Sequence, residues 1–162
     1  MAKNKAPVTP AVRMLRDENV DFTVNNYKYE EKGGTRVASR EIGIDEHYFI
    51  KTLVMEDEDK KPLIILMHGD LEVSTKNLAR TIGVKTVSPC MPETATKHTG
   101  YMVGGTSPFG TRKRMPVYME ETILELPTAY VNGGKRGYLF GLDPKEMMRV
   151  LRPKLVRVGI KI

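Results

Sequence analysis

The sequence lacks tryptophan and contains a single cysteine, Cys90. One cysteine cannot form a disulfide within the chain, and it excludes a zinc site built from several cysteines. No stretch approaches the roughly 18 consecutive apolar residues that a transmembrane helix needs. The first ten residues contain no apolar stretch after their lysines, which argues against a secretory signal. We therefore expect a cytoplasmic protein with no membrane partner.

Common enzyme motifs are also missing. The chain has neither the phosphate-binding G-x-x-x-x-G-K-[ST] motif nor the zinc-binding H-E-x-x-H motif. The segment from Gly105 to Gly110 has the spacing G-x-S-x-x-G, which excludes the nucleophile elbow of hydrolases. Cys90 is interpreted as a side chain that packs in the apolar interior, in preference to a role as a nucleophile. The three histidines, His47, His68 and His98, share no ligand spacing and are interpreted as ordinary side chains. No metal or cofactor is expected.

The composition fits one folded domain over residues 1–162. Hydrophobic residues make up 40% and charged residues 28% of the 162 positions, and the net charge is +6. These values argue against a disordered chain. The excess of basic over acidic residues is compatible with a phosphate-rich partner but is also common in proteins that bind no nucleic acid. Aromatic residues total only 7%, which argues against a broad platform for stacking bases.

The apolar pattern predicts helices and strands that do not alternate regularly. Residues 49–55 and 62–67 predict a β-hairpin, and Ser74 and Gly83 predict the start and stop of a helix. Further helices are predicted near 10–19, 35–42, 92–98 and 143–151. Further strands are predicted at 22–29, 84–87, 116–119, 122–126, 129–131, 138–140 and 155–160. This order favours an α+β domain with a mixed sheet over a doubly wound fold.

Two features have both a structural and a functional interpretation. Lys51 lies inside an apolar strand, where simple alternation can turn it toward solvent. It can equally face a cleft, where its ammonium group would bind a phosphate or a carbonyl oxygen. The segment Gly104–Pro108 is either a tight turn or a loop whose N–H groups approach an anionic ligand. The residues alone leave both pairs of alternatives open.

Four ordered motifs connect these features. Lys51-Thr52-Leu53 lies between two other motifs: TPAV at 9–12, followed by Phe22 and Tyr27, and TGYMVGGTSPFG at 99–110. The fourth motif is YVNGGKRG at 130–137. With these motifs the chain resembles the YbaK family of aminoacyl-tRNA deacylases, which are relatives of the editing domain inserted in bacterial prolyl-tRNA synthetases.

The resemblance implies a fold, a reaction and a set of site residues. The fold would be a central mixed sheet curled toward a barrel, with flanking helices. The reaction would be hydrolysis of the ester between an amino acid and the 3′-terminal adenosine of a mischarged tRNA, most commonly release of cysteine from tRNA(Pro). The implied catalytic residues are Lys51, Gly104 and Gly105. The implied substrate-binding residues are Tyr27, Thr52, Thr106, Ser107, Pro108, Asn132, Gly133 and Gly134.

The implied partners are the CCA end of an aminoacyl-tRNA and, transiently, prolyl-tRNA synthetase, with no DNA. Contacts to the tRNA backbone are expected from basic residues beside the two glycine motifs. They are Arg112, Lys113, Arg114, Lys135 and Arg136. A solvated basic face is the alternative interpretation of these residues.

The chain departs from the family at positions that shape the amino-acid pocket. Asn132 stands where serine is frequent, Tyr138-Leu139-Phe140 stands where an aspartate is frequent, and no phenylalanine follows Tyr27 at the usual place. With a cysteinyl substrate, the thiol of the substrate can attack its own ester, so that no protein nucleophile is needed. The alternatives are a deacylase for alanine or serine, and a noncatalytic module that binds a tRNA end or a nucleotide.

Overall fold

The computed structural model describes residues 8–162, which form five α-helices, two short 3₁₀ helices and ten strands. The helices are α1 Pro10–Asp17, α2 Gly34–Ile42, α3 Thr75–Ile82, α4 Pro92–Thr99 and α5 Pro144–Leu151. The strands are β1 Thr23–Asn26, β2 Phe49–Asp57, β3 Pro62–His68, β4 Leu71–Val73, β5 Val87–Pro89, β6 Val117–Glu120, β7 Ala129–Lys135, β8 Tyr138–Leu142, β9 Lys154–Val156 and β10 Gly159–Lys161.

Eight of the strands form one mixed sheet. Its order is β1-β8-β7-β2-β3-β6-β9, with β5 added on β2. The pairs β2·β7, β3·β6 and β6·β9 are parallel, and the others in this sheet are antiparallel. The remaining two strands, β4 and β10, pair with each other. The predicted α+β class with a central mixed sheet and flanking helices is confirmed, and the sheet is open, not a closed barrel.

Strand β2 is paired very differently on its two edges. Against β3 it is continuous, from Ile50 opposite His68 to Glu56 opposite Pro62. On the other edge, β7 pairs only with Phe49 and Ile50, and β5 pairs only from Met55 to Asp57. Within residues 8–162, residues 51–54 therefore have a strand partner on one side only, which leaves a gap in the middle of the sheet.

Helices cover both faces of the sheet. One core joins α1, α4 and α5 to the sheet face that carries Ile50, Val54 and Leu66. A second core joins Leu78 and Ala79 of α3 to the opposite face, and a third, smaller cluster packs Ala38 of α2 against Phe49 and Leu139. Full burial of each large aliphatic side chain contributes about 1.5–3 kcal/mol. These cores together fix the position of β2 and of its unpaired segment.

The helix ends follow the signals in the sequence. Thr9 caps α1, because its hydroxyl accepts a hydrogen bond from Val12 N at 3.1 Å, and Pro10 occupies the first helical position. Ser74 caps α3 in the same way at 3.2 Å from Asn77 N, and Gly83 ends α3 in the left-handed conformation. The predicted hairpin and these helices are confirmed.

Several predicted strands differ from the structure. Strand β5 lies at Val87–Pro89, later than the predicted 84–87, and β1 ends at Asn26, earlier than predicted. Residues 121–125 form a 3₁₀ helix in which Ile123 is the residue buried in the core. The predicted strand 155–160 is split because the buried Glu120 carboxylate accepts hydrogen bonds from the N–H groups of Val158 and Gly159 at 2.7 and 3.1 Å.

A search of residues 8–162 finds no helix with both the length and the apolar character needed to cross a membrane.

Candidate active site

A cavity of about 1000 Å³ opens at the unpaired segment of β2. Residues 49–55 of β2 form its central wall, and the gap between β7 and β5 gives a ligand access to that wall. The other walls come from the connection between β1 and α2, the start of α2, β4, the start of α4, the β7–β8 pair and residues 102–108, which we call the glycine loop. The residues on these walls include Tyr27, Tyr29, Thr35, Ala38, Glu72, Cys90, Val103, Gly104, Thr106, Tyr130, Asn132, Arg136 and Leu139.

Lys51 lies on the cavity wall and is partly buried. Its Nζ donates a hydrogen bond of 2.5 Å to the carbonyl oxygen of Leu71 in β4. Burial lowers the pKa of the Lys51 ammonium below its ordinary value, and the nearby carboxylates of Glu46, Glu72 and Asp70 act in the opposite direction. Of the two alternatives that the sequence left open, the structure therefore shows the lysine that faces a cleft.

Thr52 points to the opposite face of β2 from Lys51, because neighbours in a strand alternate, and it also lines the cavity. Its Oγ1 is shielded from solvent and has no hydrogen-bond partner within residues 8–162. A buried hydroxyl without a partner costs about 1–3 kcal/mol. This cost makes Thr52 Oγ1 a strong candidate to bond a ligand.

The glycine loop places Gly104 and Gly105 in different roles. The N–H of Gly105 already donates to the carbonyl of Met102 at 2.8 Å, and Gly105 does not line the cavity. Gly104 lines the cavity, and its N–H has no acceptor among the residues that the structure describes. With φ at +93°, Gly104 has a backbone conformation that strongly favours glycine. Of the two predicted backbone donors, Gly104 is the one exposed to a ligand.

The glycine loop is joined to the β7–β8 turn by contacts among three residues, Tyr29, Val103 and Arg136. We call these residues the clamp. The Arg136 Nε donates to the Val103 carbonyl at 2.9 Å, and its guanidinium carbon lies 5.0 Å from the centre of the Tyr29 ring. A Cβ added to Gly104 would lie 2.6 Å from the Tyr29 hydroxyl. The close packing of these residues fixes the mouth of the cavity.

Tyr27 lies on the cavity wall beside the clamp. Its N–H donates to the carbonyl of Gly137 at 3.0 Å, which joins the connection after β1 to the β7–β8 turn. Burial raises the pKa of the Tyr27 hydroxyl, and the neighbouring Tyr29 adds to this effect. Tyr27 therefore offers a neutral hydroxyl to a ligand at physiological pH.

Asn132 lines the cavity, but its side chain is hydrogen-bonded to backbone groups of the protein. Its Oδ1 accepts hydrogen bonds from the N–H groups of Gly134 and Lys135 at 2.7 and 3.2 Å, and its Nδ2 donates to the Gly104 carbonyl at 3.2 Å. The pairing of β7 with β8 shifts register between Asn132 and Lys135. Asn132 thus stabilises this bulge and ties it to the glycine loop.

Four predicted substrate-binding residues lie behind the cavity wall. Ser107 is fully buried, and its Oγ accepts a hydrogen bond from Phe109 N at 3.2 Å. The Gly133 carbonyl accepts from the Thr9 hydroxyl at 2.6 Å, which links the bulge to α1. Pro108 and Gly134 also do not line the cavity. Of the predicted set, the cavity wall brings together Tyr27, Lys51, Thr52, Gly104, Thr106, Asn132 and Arg136.

The predicted tRNA-backbone residues belong to two different parts of the fold. Arg112, Lys113 and Arg114 are exposed beyond the end of α4, where the N–H of Lys113 donates to the His98 carbonyl at 2.8 Å. Burial, with help from the charge on Lys113, lowers the pKa of His98. Lys135 and Arg136 are exposed at the β7–β8 turn, and Arg136 alone of the five lines the cavity.

The sequence analysis treated His47 and His68 as ordinary side chains and gave no sign that the two are in contact. Their rings stack at 3.7 Å, and His47 Nδ1 lies 2.9 Å from the Asp70 carboxylate. Because a carbonyl can only accept, His68 Nδ1 donates to the His47 carbonyl at 2.7 Å, and its Nε2 accepts from the Thr122 hydroxyl at 2.8 Å. Burial lowers the pKa of His68.

Potential ligand atoms of His47, His68 and Asp70 lie within 4.8 Å of one another. Both ring nitrogens of His68 are already hydrogen-bonded, so a metal ion would have to displace one of these bonds. The neutral, fully bonded His68 instead ties β3 to the segment before β2. Twenty residues separate the two histidines, and no local spacing signals their contact.

Cys90 lies on the cavity wall, directly after β5, whose last residue, Pro89, pairs with Met55 of β2. Its Sγ is 3.5 Å from the Glu56 carboxylate. Burial and this carboxylate raise the pKa of the thiol to about 11. A thiol that stays protonated at neutral pH is a poor nucleophile, which agrees with the interpretation of Cys90 as a packing residue.

Comparisons with known proteins agree with this geometry. The family described as "Aminoacyl-tRNA editing domain" matches residues 30–150. The chain is 28% identical over 163 residues to EbsC of Enterococcus faecalis, which carries the provisional name Cys-tRNA(Pro)/Cys-tRNA(Cys) deacylase, and the match covers 99% of each protein. It is 27% identical over 146 residues to a proline–tRNA ligase of Thermodesulfovibrio yellowstonii. This match covers 89% of this chain but only 23% of the ligase.

Two solved structures show the same fold. One is provisionally described as a trans-editing enzyme for prolyl tRNA synthetase, with a TM-score of 0.80, 21% identity and coverage of 95% of this chain and 99% of the other. The other, the hypothetical protein APE2540, has a TM-score of 0.86 at 18% identity and covers 94% of this chain and 100% of the other. The resemblance drawn from the sequence motifs is confirmed, and the chain belongs to the aminoacyl-tRNA editing domain family.

Proposed function

We propose that this protein, as a single domain, deacylates mischarged aminoacyl-tRNA in the cytoplasm, and that the cavity at the unpaired segment of β2 is its active site. One observation supports this most strongly. The cavity wall combines the ammonium of Lys51 with the Thr52 hydroxyl and the Gly104 N–H, neither of which has a hydrogen-bond partner within residues 8–162. These groups bind an ester and its developing negative charge, and an aminoacyl ester is already activated toward attack.

Each group has a distinct role in this proposal. The Gly104 N–H donates to the carbonyl oxygen as it becomes an oxyanion, a contribution of about 3–4 kcal/mol per donor in known oxyanion holes. Lys51 exchanges the Leu71 carbonyl for an oxygen of the substrate and supplies positive charge in a partly buried place. Thr52 and Tyr27 orient the ribose or the amino acid by hydrogen bonds.

The preferred substrate in this proposal is Cys-tRNA(Pro), the first of the two substrates in the provisional name of EbsC. The substrate thiol attacks its own carbonyl carbon, and the bond between that carbon and the ribose oxygen breaks. The thiol proton ends on the ribose oxygen, so the products are a free tRNA end and a cyclic thiolactone. This route needs no protein nucleophile, which fits a cavity whose own thiol, Cys90, is held protonated.

Selection of the tRNA requires more than the cavity. The exposed basic residues Arg112, Lys113, Arg114 and Lys135 are proposed to contact phosphates of the acceptor stem, which orient an RNA without reading its sequence. We propose that prolyl-tRNA synthetase supplies the selection in a transient complex. The partial match to a proline–tRNA ligase supports this pairing of activities.

The test is a deacylation assay with tRNAs charged with cysteine, alanine, serine and proline. We expect the fastest turnover with Cys-tRNA(Pro) and release of the thiolactone, which mass spectrometry detects. Rapid release of alanine, which has no thiol, would overturn the thiol route and favour attack by water near Gly104. Binding of all four charged tRNAs without release from any of them would overturn the enzymatic proposal and leave a binding module.

A further inference from the structure

Arg136 is both exposed to solvent and part of the cavity wall, so its guanidinium group lies at the cavity mouth. The group is held from two directions. Its Nε donates to the Val103 carbonyl at 2.9 Å, and its guanidinium carbon lies over the Tyr29 ring, 5.0 Å from the ring centre. These contacts hold a flat cation in a fixed orientation before any ligand binds.

Large apolar side chains are exposed in the segments around the same mouth. Met102 and Val103 of the glycine loop are 62% and 48% exposed, and Met91, between the cavity residues Cys90 and Pro92, is 66% exposed. Phosphate groups gain nothing from apolar neighbours. A guanidinium plane next to apolar side chains is instead the surroundings that suit a flat, uncharged heterocycle.

We propose that Arg136 stacks on the base of the terminal adenosine of the RNA, with Tyr29 behind it as the second layer of the stack. The proposal rests on the proposed function, because that function places the ester near Lys51 and Gly104. The base is attached to the same ribose as the ester, so it lies at the mouth when the ester lies inside. This changes the expected role of Arg136 from a phosphate contact to the contact that holds the terminal base.

The experiment measures binding of uncharged trinucleotides, so it does not depend on hydrolysis. The probes are CCA and the same oligonucleotide with an abasic 3′-terminal sugar, which has the same phosphates. Stacking of one base contributes a roughly 5- to 100-fold difference in affinity, and we expect the wild-type protein to prefer CCA by a factor in this range. A binding module without any deacylase activity would show the same preference, so failure of the proposed function is seen separately.

Two substitutions separate stacking from charge. Arg136→Lys keeps the positive charge but removes the plane, and we expect it to abolish the preference for CCA while abasic binding stays salt-dependent. Tyr29→Leu removes the second layer and should reduce the preference. Arg80→Ala, an exposed arginine on α3, is the matched control and should keep the wild-type preference. Circular dichroism and thermal unfolding verify that each variant is folded.

The outcomes that overturn the proposal are specific. Equal affinity of the wild-type protein for the two oligonucleotides would assign Arg136 to the backbone. Retention of the preference in a folded Arg136→Lys variant would also contradict stacking, because a lysine cannot present a plane. An equal loss of affinity for both probes in Arg136→Lys would mark Arg136 as a phosphate contact or as a support of the glycine loop.

Discussion

The two edges of β2 have opposite properties. On the β3 edge, seven consecutive residue pairs join the strands, and β3 residues from Leu63 to His68 are all buried. On the other edge, the pairing stops after Ile50 and resumes at Met55. The same strand therefore has one edge that holds the fold together and one edge whose backbone and side chains reach a cavity.

This contrast shows how an enzyme site can be built without weakening the sheet. The continuous ladder with β3 holds Lys51 and Thr52 in place, while the missing partner on the other edge gives a ligand room to approach them. A rigid support next to an open space is what positioning of catalytic groups requires. The contrast predicts that substitutions on the open edge affect activity, and that those on the closed edge affect stability.

The largest effect is expected from Lys51→Ala on the open edge. Loss of the ammonium group should lower the single-turnover rate of deacylation roughly 100- to 1000-fold, while circular dichroism stays as in the wild type. Lys61→Ala, an exposed lysine outside the cavity, is the control for the loss of one charge. A folded Lys51→Ala variant with a near-normal rate would remove Lys51 from the mechanism.

The closed edge is tested with Ile65→Ala. Ile65 is fully buried in β3 opposite Leu53, and its truncation should cost about 2–5 kcal/mol of the free energy of unfolding. Denaturant titration measures this loss. The deacylation rate per folded molecule should change little, and a large drop in that rate would show that the two edges are not independent.

The next effect concerns the clamp. Gly104→Val forces a side chain into a backbone conformation with φ at +93° and pushes it against Tyr29. The displaced loop should lower the deacylation rate roughly 10- to 100-fold, because misplaced groups lose catalytic power steeply. Gly83→Val is a matched control, since Gly83 has φ at +80° and no atom of the described residues outside its immediate neighbourhood lies within 4 Å of the added Cβ. An equal loss of activity in both variants would assign the effect to backbone strain.

Local signals in the sequence were enough to predict the hairpin, most helices and the key wall residue. Ser74 and Gly83 define α3 through contacts within one helical turn, and Lys51 is visible as a charge in an apolar strand. Contacts between distant residues could not be predicted. The hydrogen bonds of Asn132 to the bulge and the glycine loop, and the stacking of His47 on His68, depend on tertiary structure. Tertiary structure also decides which residues of the two glycine motifs line the cavity and which lie behind its wall.

A smaller effect is expected for the pH dependence of stability, through His68 on the closed edge of β2. His68 has a pKa lowered by burial, so below about pH 6.5 the unfolded chain binds more protons than the folded one. Stability is therefore greatest above this pH and falls as the pH decreases toward the lowered value. Thermal unfolding between pH 7.5 and 5 should show this loss, and His68→Gln should flatten it. An unchanged slope in His68→Gln would assign the pH dependence to other groups.

The smallest effect is expected for Cys90→Ser, although Cys90 lies on the open edge. With a pKa of about 11, roughly one thiol in ten thousand is ionised at pH 7, and serine keeps a similar shape and a proton for Glu56. The deacylation rate should stay within about twofold of the wild type, and iodoacetamide should label the wild-type thiol slowly at pH 7. A loss of activity as large as that of Lys51→Ala would mean that Cys90 is the nucleophile and that its ionisation is induced by the substrate. That result would also remove the need for a substrate thiol, so this variant tests the proposed route from the protein side while the thiolactone tests it from the product side.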